Sequence, residues 1–113
     1  MNKELKQIFG DALAVNGKTV PVAHLRYRGG EKTFVVWGIT SERGELYADD
    51  TLVGSAVSVD VDVYSDGNYV EVVTEIKRLM FNADWIWVED SAEMYEEETA
   101  LYHKTLTFEK EGE

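Results

Sequence analysis

The sequence predicts an α+β fold, a two-layer sandwich in which a mainly antiparallel β-sheet carries two helices packed on one face. Three observations predict it. Ala56 to Tyr64 alternates strictly, with Val57, Val59, Val61 and Val63 on one side and Ser58, Asp60, Asp62 and Tyr64 on the other. A period of two means one face in the core and one face polar. Two further segments carry a helical period, and the remaining apolar runs are short and rich in β-branched and aromatic residues. Two helices on one side of a half-buried sheet is the economical way to bury all of this. At 113 residues, residues 1–113 form one domain, and 44% hydrophobic residues suffice for a packed core.

In chain order, Leu5, Ile8, Phe9, Ala12 and Leu13 recur at helical spacing, so residues 2 to 14 read as an amphipathic helix ended by Asn16-Gly17. Thr19 to Tyr27 reads as a strand, and Gly29-Gly30 as a turn into a second strand from Thr33 to Ile39, the two forming a hairpin. Pro21 lacks a ladder donor and places the first of these at a sheet edge or at its own beginning. Glu45 to Ala48 is a candidate short strand. After the valine strand, Ser65-Asp66-Gly67-Asn68 offers turn and N-cap chemistry. A second helix then carries Tyr69, Val72, Val73, Ile76, Leu79 and Met80 as its stripe, with Lys77 and Arg78 suiting its C-terminal dipole. Asp84 to Val88 reads as a strand, residues 91–100 as an acidic connector loop, and Tyr102 to Lys110 as the last strand. Residues 110–113 are expected to fray.

Charge narrows the function. Eleven Lys and Arg stand against 22 Asp and Glu, a net charge of −11. Such a surface repels phosphate backbones and anionic headgroups, which argues against nucleic-acid and membrane-surface binding. The excess is not spread evenly. Residues 1–50 hold seven acids and seven bases, and residues 51–113 hold fifteen acids and four bases. There is no cysteine, so disulfides, thiolate metal sites and cysteine nucleophiles are excluded. The longest apolar runs, such as Phe34 to Trp37, are far too short to span a bilayer. Gly10 and Asp11 interrupt what a signal peptide would need as its apolar stretch, so the chain is expected to stay where it is made.

Catalytic motifs are missing. His24 and His103 are the only histidines and lie in no ligand spacing, and Gly29-Gly30 lacks the lysine and the strand-to-helix context of a phosphate loop. Asp60 and Asp62 point the same way from one strand, but two carboxylates do not make a metal cage. The run from Asp90 to Glu98 lacks the spacing of a calcium loop. No catalytic residue, metal or cofactor is assigned. Trp85 and Trp87 share one side of a strand whose other side holds Ile86 and Val88, so the strand is apolar on both faces. Either a loop of the same chain covers the second face or another subunit does, which makes Trp85 and Trp87 candidate subunit-interface residues.

These residues carry a resemblance. Val20-Pro21-Val22 after an N-terminal helix, the run to Val35-Val36-Trp37, and above all Val57 to Tyr64 resemble the tail terminator or tail-completion proteins of long-tailed bacteriophages, with a valine and aspartate run ending in a tyrosine. The segment Glu93 to His103 is similar to the closing segment of that family, with Tyr95, Thr99 after Glu98, and Tyr102-His103 leading into the last strand. The resemblance implies a ring-forming subunit, commonly a hexamer, on the head-proximal end of the tail tube. There it stops tube polymerisation and presents a docking surface to the head-completion or connector protein. It implies a place in the virion at the head-tail junction, after assembly in the bacterial host cytoplasm. DNA would pass through the ring without specific binding, and a carboxylate-lined lumen suits that task. Asp60, Asp62, Glu93, Glu96, Glu97 and Glu98 are the candidates for a lumen or docking surface, although the triplet Glu96 to Glu98 is more acidic than the family pattern requires. Two other readings compete: a head-completion or connector protein of the same virion, and an acidic DNA mimic that inhibits a host nucleic-acid enzyme.

Overall fold

The alternation in the central strand organises the molecule. The computed structural model describes residues 2–46 and 52–112. Strand β4 (Leu52–Ser65) has Val57, Val59, Val61 and Val63 at 0 to 3% exposure. It pairs antiparallel with β3 (Phe34–Leu46) on one side and with β7 (Leu101–Gly112) on the other. Outside these lie β1 (Ala12–Val15) and β2 (Lys18–His24) at one end, and β5 (Ile86–Asp90) at the other, giving the order β1-β2-β3-β4-β7-β5. Strand β6 (Met94–Glu96) also pairs with β7. All pairings are antiparallel except that of β2 with β3.

The helices α1 (Asn2–Phe9) and α2 (Val70–Asn82) cover the valine face. Leu5 and Phe9 from α1 and Val72, Ile76 and Met80 from α2 join the valines, Trp37, Leu106 and Phe108 in one continuous core. Each such side chain contributes about 1.5–3 kcal/mol by leaving water, so the two helical stripes hold the layers together. The two-layer α+β architecture agrees with the sequence reading, whereas the element order differs: two strands, β1 and β6, are added, and Glu45 belongs to β3.

The first helix ends at Phe9, not at residue 14. Gly10 takes a positive φ of 63° and its N–H bonds to the Lys6 carbonyl, which closes the helix. Ala12 and Leu13 then belong to β1, where Leu13 and Val15 face the core with a period of two. Asn16-Gly17, with φ of 50° and 76°, is therefore the two-residue turn of a β1–β2 hairpin. The expected hairpin between the next two strands is instead a parallel pair, Val22 opposite Val35 and His24 opposite Trp37. Residues 25–33 form the crossover that a parallel connection requires. Pro21 is not on an edge: β1 takes that place. The proline lies one residue before the β2–β3 ladder begins, so its missing donor interrupts no rung.

Glu45 and Leu46 end β3, and Tyr47 and Ala48 lie outside the described residues. Helix α2 continues to Asn82, so Lys77 and Arg78 sit before its last turn and serve side chains instead. Arg78 is bidentate to Glu75 at 2.8 and 2.7 Å, and these hydrogen bonds hold Glu75 below the usual carboxylate range. The connector 91–100 contains β6, and β7 continues to Gly112 opposite Ser55, so the C-terminal residues 110–112 are paired, not frayed.

Candidate functional site

The face of the sheet away from the helices is where the sequence places its carboxylates. Asp60 and Asp62 stand on it between β3 and β7, opposite Thr107 and Thr105. Thr107 donates to Asp60 at 2.8 Å, and Thr105 donates to Asp62 Oδ1 at 2.5 Å. His103 Nε2 lies 3.0 Å from the same Oδ1, with side chains 15% and 28% exposed for His103 and Asp62. One rung further along, Ser58 Oγ lies 3.3 Å from Glu109. The two aspartates are therefore fixed in place by cross-strand hydroxyls and an imidazole, as hydrogen-bonded carboxylates on a half-wet face should be.

A row of rings crosses the same face. Tyr27 stacks on Phe34 at 4.3 Å between centroids, Phe34 on Tyr64 at 4.8 Å, and Tyr64 on His103 at 4.2 Å. Tyr27 belongs to the crossover between β2 and β3, so this row also fastens the crossover to the open face. Burial, with Asp62 and Glu96 nearby, pushes the Tyr64 hydroxyl above its ordinary pKa.

This arrangement does not form a nucleophile relay through His103. A proton relay needs the carboxylate on one imidazole nitrogen and the nucleophile on the other. Here Asp62 and Thr105 both address Nε2 of His103, the hydroxyl at 3.5 Å, so the ring relays nothing between them. Among the described residues no three His, Asp or Glu side chains are grouped to hold a metal ion, and no helix is long and apolar enough to cross a membrane.

The other predicted residues scatter. Glu93 accepts a hydrogen bond from Tyr69, whose hydroxyl is held above its ordinary pKa by burial and then by that bond. Tyr95 packs against Tyr102 across β6 and β7, with centroids 5.1 Å apart. Glu97, Glu98 and Thr99 form the exposed turn after β6, which ends at Ala100 with a φ of 58°. The structure thus brings Asp60, Asp62, Tyr64 and His103 together and leaves Glu97 and Glu98 apart.

The two tryptophans separate as well, and this corrects their pairing. Asp84 has a φ of 67°, which turns the chain before β5 begins, and Trp85 is buried in the core at 3% exposure. It has no surface to offer a partner. Trp87 is 52% exposed, with Lys77 Nζ 4.5 Å from its ring centroid and its Nε1 donating to Asp90 at 2.8 Å. Ile86 and Val88 are exposed at 66% and 45%, on an edge strand whose register shifts between Trp87 and Glu89. Sequence reasoning missed Thr105, Thr107, Phe34 and Tyr27. The alternation of Thr105 and Thr107 with Leu106 and Phe108 was the available signal for the first two.

The chain matches no protein-family model and no curated protein.

Proposed function

We propose that this chain is a structural subunit of a phage tail, a tail terminator or tail-completion protein that forms a ring on the head-proximal end of the tail tube. The observation that carries the proposal is the edge strand β5, where Ile86 on the open face, Trp87 on the helix side and Val88 at the register shift are all exposed. Large apolar side chains exposed on both sides of an outer strand suit a surface that meets another protein. The resemblance of Val57 to Tyr64 and of Tyr95 to His103 to tail-completion proteins supplies the kind of assembly. The fixed aspartates at the centre of the open face, Asp60 and Asp62, suit a wall past which DNA must move without sticking.

The test is to mix the protein with tail tubes and image them by negative stain. A cap at one end of the tube, with tube growth arrested, supports the proposal. Binding to the portal side instead identifies a connector, and tight, salt-sensitive binding to a basic nucleic-acid enzyme without tube capping identifies a charge mimic. In assembled virions, Asp60→Lys with Asp62→Lys is expected to slow DNA ejection, and unchanged ejection removes these residues from the lumen.

A further inference from the structure

Two surfaces of this chain carry exposed apolar side chains beside charges of opposite sign. The first is the crossover between β2 and β3. Leu25 is 69% exposed, and it holds a φ of 67°, a conformation that leucine adopts reluctantly. Its N–H bonds to the Trp37 carbonyl at 2.8 Å, and its side chain lies over Gly38 on the open face. Arg26 and Arg28 follow it, both exposed and without an ion pair or hydrogen-bond partner for their side chains among the described residues. The second surface is β5. Ile86 stands opposite Glu109 and Glu89 opposite Thr107, which puts both on the open face at its far margin, with exposed Val88 between them. Glu89, and Asp84 in the turn that leads from α2 into β5, are exposed carboxylates, likewise without an ion pair among the described residues.

These surfaces cannot satisfy one another within one chain. Strand β5 stands three positions from β3 in the sheet, about 14 Å at ordinary strand spacing. Between two copies they are complementary: an apolar knob flanked by two guanidiniums, and an apolar edge flanked by two carboxylates. We propose that the crossover of one copy docks on the outer margin of β5 of the next. Leu25 then covers Ile86 and Val88, and Arg26 and Arg28 meet Glu89 and Asp84. The contact joins different surfaces of identical chains, so it propagates head to tail and closes as a ring if the rotation permits. It rests on the ring reading above and supplies the contact that reading lacks. The net charge of −11 opposes any such association over long range, but at about 0.1 M salt the Debye length is about 10 Å, and the short contacts survive while the general repulsion is screened.

Sedimentation velocity of the full chain at about 0.1 M salt, over a range of concentrations, tests this. Wild type is expected to associate as concentration rises. Leu25→Gly, which suits the backbone there, and the pair Arg26→Glu with Arg28→Glu are each expected to weaken association at least about tenfold. Asp84→Asn with Glu89→Lys should do the same. All of these positions are exposed, and an unchanged urea midpoint shows that the fold is intact. Mixing the acidic-crossover copy with the edge-reversed copy is expected to restore association that neither shows alone. A wild type that stays monomeric throughout, variants that associate like wild type, or a mixture that fails to associate each overturns the contact. Self-association through it without tube capping leaves the contact standing and removes the tail reading. Tube capping by the charge-reversed copies at the wild-type level does the opposite.

Discussion

Leu25 lies so close over Gly38 that a β-carbon at position 38 would stand 2.7 Å from the leucine Cδ2. The glycine in the middle of β3 is therefore matched to the crossover above it. Gly38→Ala should push aside the free end of an exposed side chain, at a cost of about 1 kcal/mol or less. In a Leu25→Ala background that cost should disappear, giving a coupling of about 0.5–1 kcal/mol in a double-mutant cycle read by urea unfolding. Equal costs in both backgrounds would mean that Leu25 is not what glycine accommodates.

The β1–β2 turn makes a sharper demand. Gly17 holds a φ of 76° with open space around its α-carbon, so Gly17→Ala meets backbone strain and no clash. The expected loss is about 1–2 kcal/mol. Asn16, at a φ of 50°, donates from its side-chain amide to Glu71 on α2. Asn16→Ala should cost about 1 kcal/mol, from the weaker tolerance of alanine for this backbone and from the lost tie to the helix. Urea midpoints measure both, and a neutral Gly17→Ala would contradict the turn geometry.

Trp85 and Trp87 should respond in opposite ways. Trp85→Ala empties a core site and is expected to cost about 3–5 kcal/mol. Trp87→Ala removes an exposed ring and its Lys77 contact, for about 1 kcal/mol or less. Of the three tryptophans, Trp37 and Trp85 are buried at 2% and 3% exposure. Acrylamide should therefore quench one accessible component of the fluorescence, and Trp87→Phe should remove it.

The same residues mark where the sequence was legible. β4 and α2 could be read because each has one buried face and a long period: nine alternating residues, and six apolar positions at helical spacing. The end of α1 could not, because Ala12 and Leu13 fit a helical stripe after Phe9 as well as they fit a strand, and only the positive φ of Gly10 separates the two. Trp85 and Trp87 are two apart, yet the turn at Asp84 leaves Trp85 ahead of the strand, so the period of two does not apply to the pair. The parallel pairing of β2 with β3 depends on a crossover held by Tyr27 on Phe34 and Leu25 over Gly38, contacts between residues whose local pattern reads only as a loop. On the open face, the acids were legible from their alternation with valine. The hydroxyls that fix them lie more than forty positions away in sequence and become partners only through the β4–β7 register.

Alkaline pH should expose the burial of Tyr64. Its folded-state pKa is raised, first by burial and then by Asp62 and Glu96, above an unfolded value near 10. Below that value the phenol is protonated in both states, and the stabilisation from keeping it neutral is fully present. As pH rises past about 10, the unfolded chain releases the proton and the native chain retains it, so stability falls, by at most about 1.4 kcal/mol per pH unit for one group. Tyr69 acts in the same direction through burial and its bond to Glu93. Tyr64→Phe removes no side-chain hydrogen bond among the described residues and keeps the stacked ring, so its stability at pH 7 should stay within about 0.5 kcal/mol of wild type. Between pH 9 and 11 its urea midpoint should fall less than that of wild type, and combining it with Tyr69→Phe should flatten the slope further. An identical fall in all three proteins would place the alkaline sensitivity elsewhere in the chain.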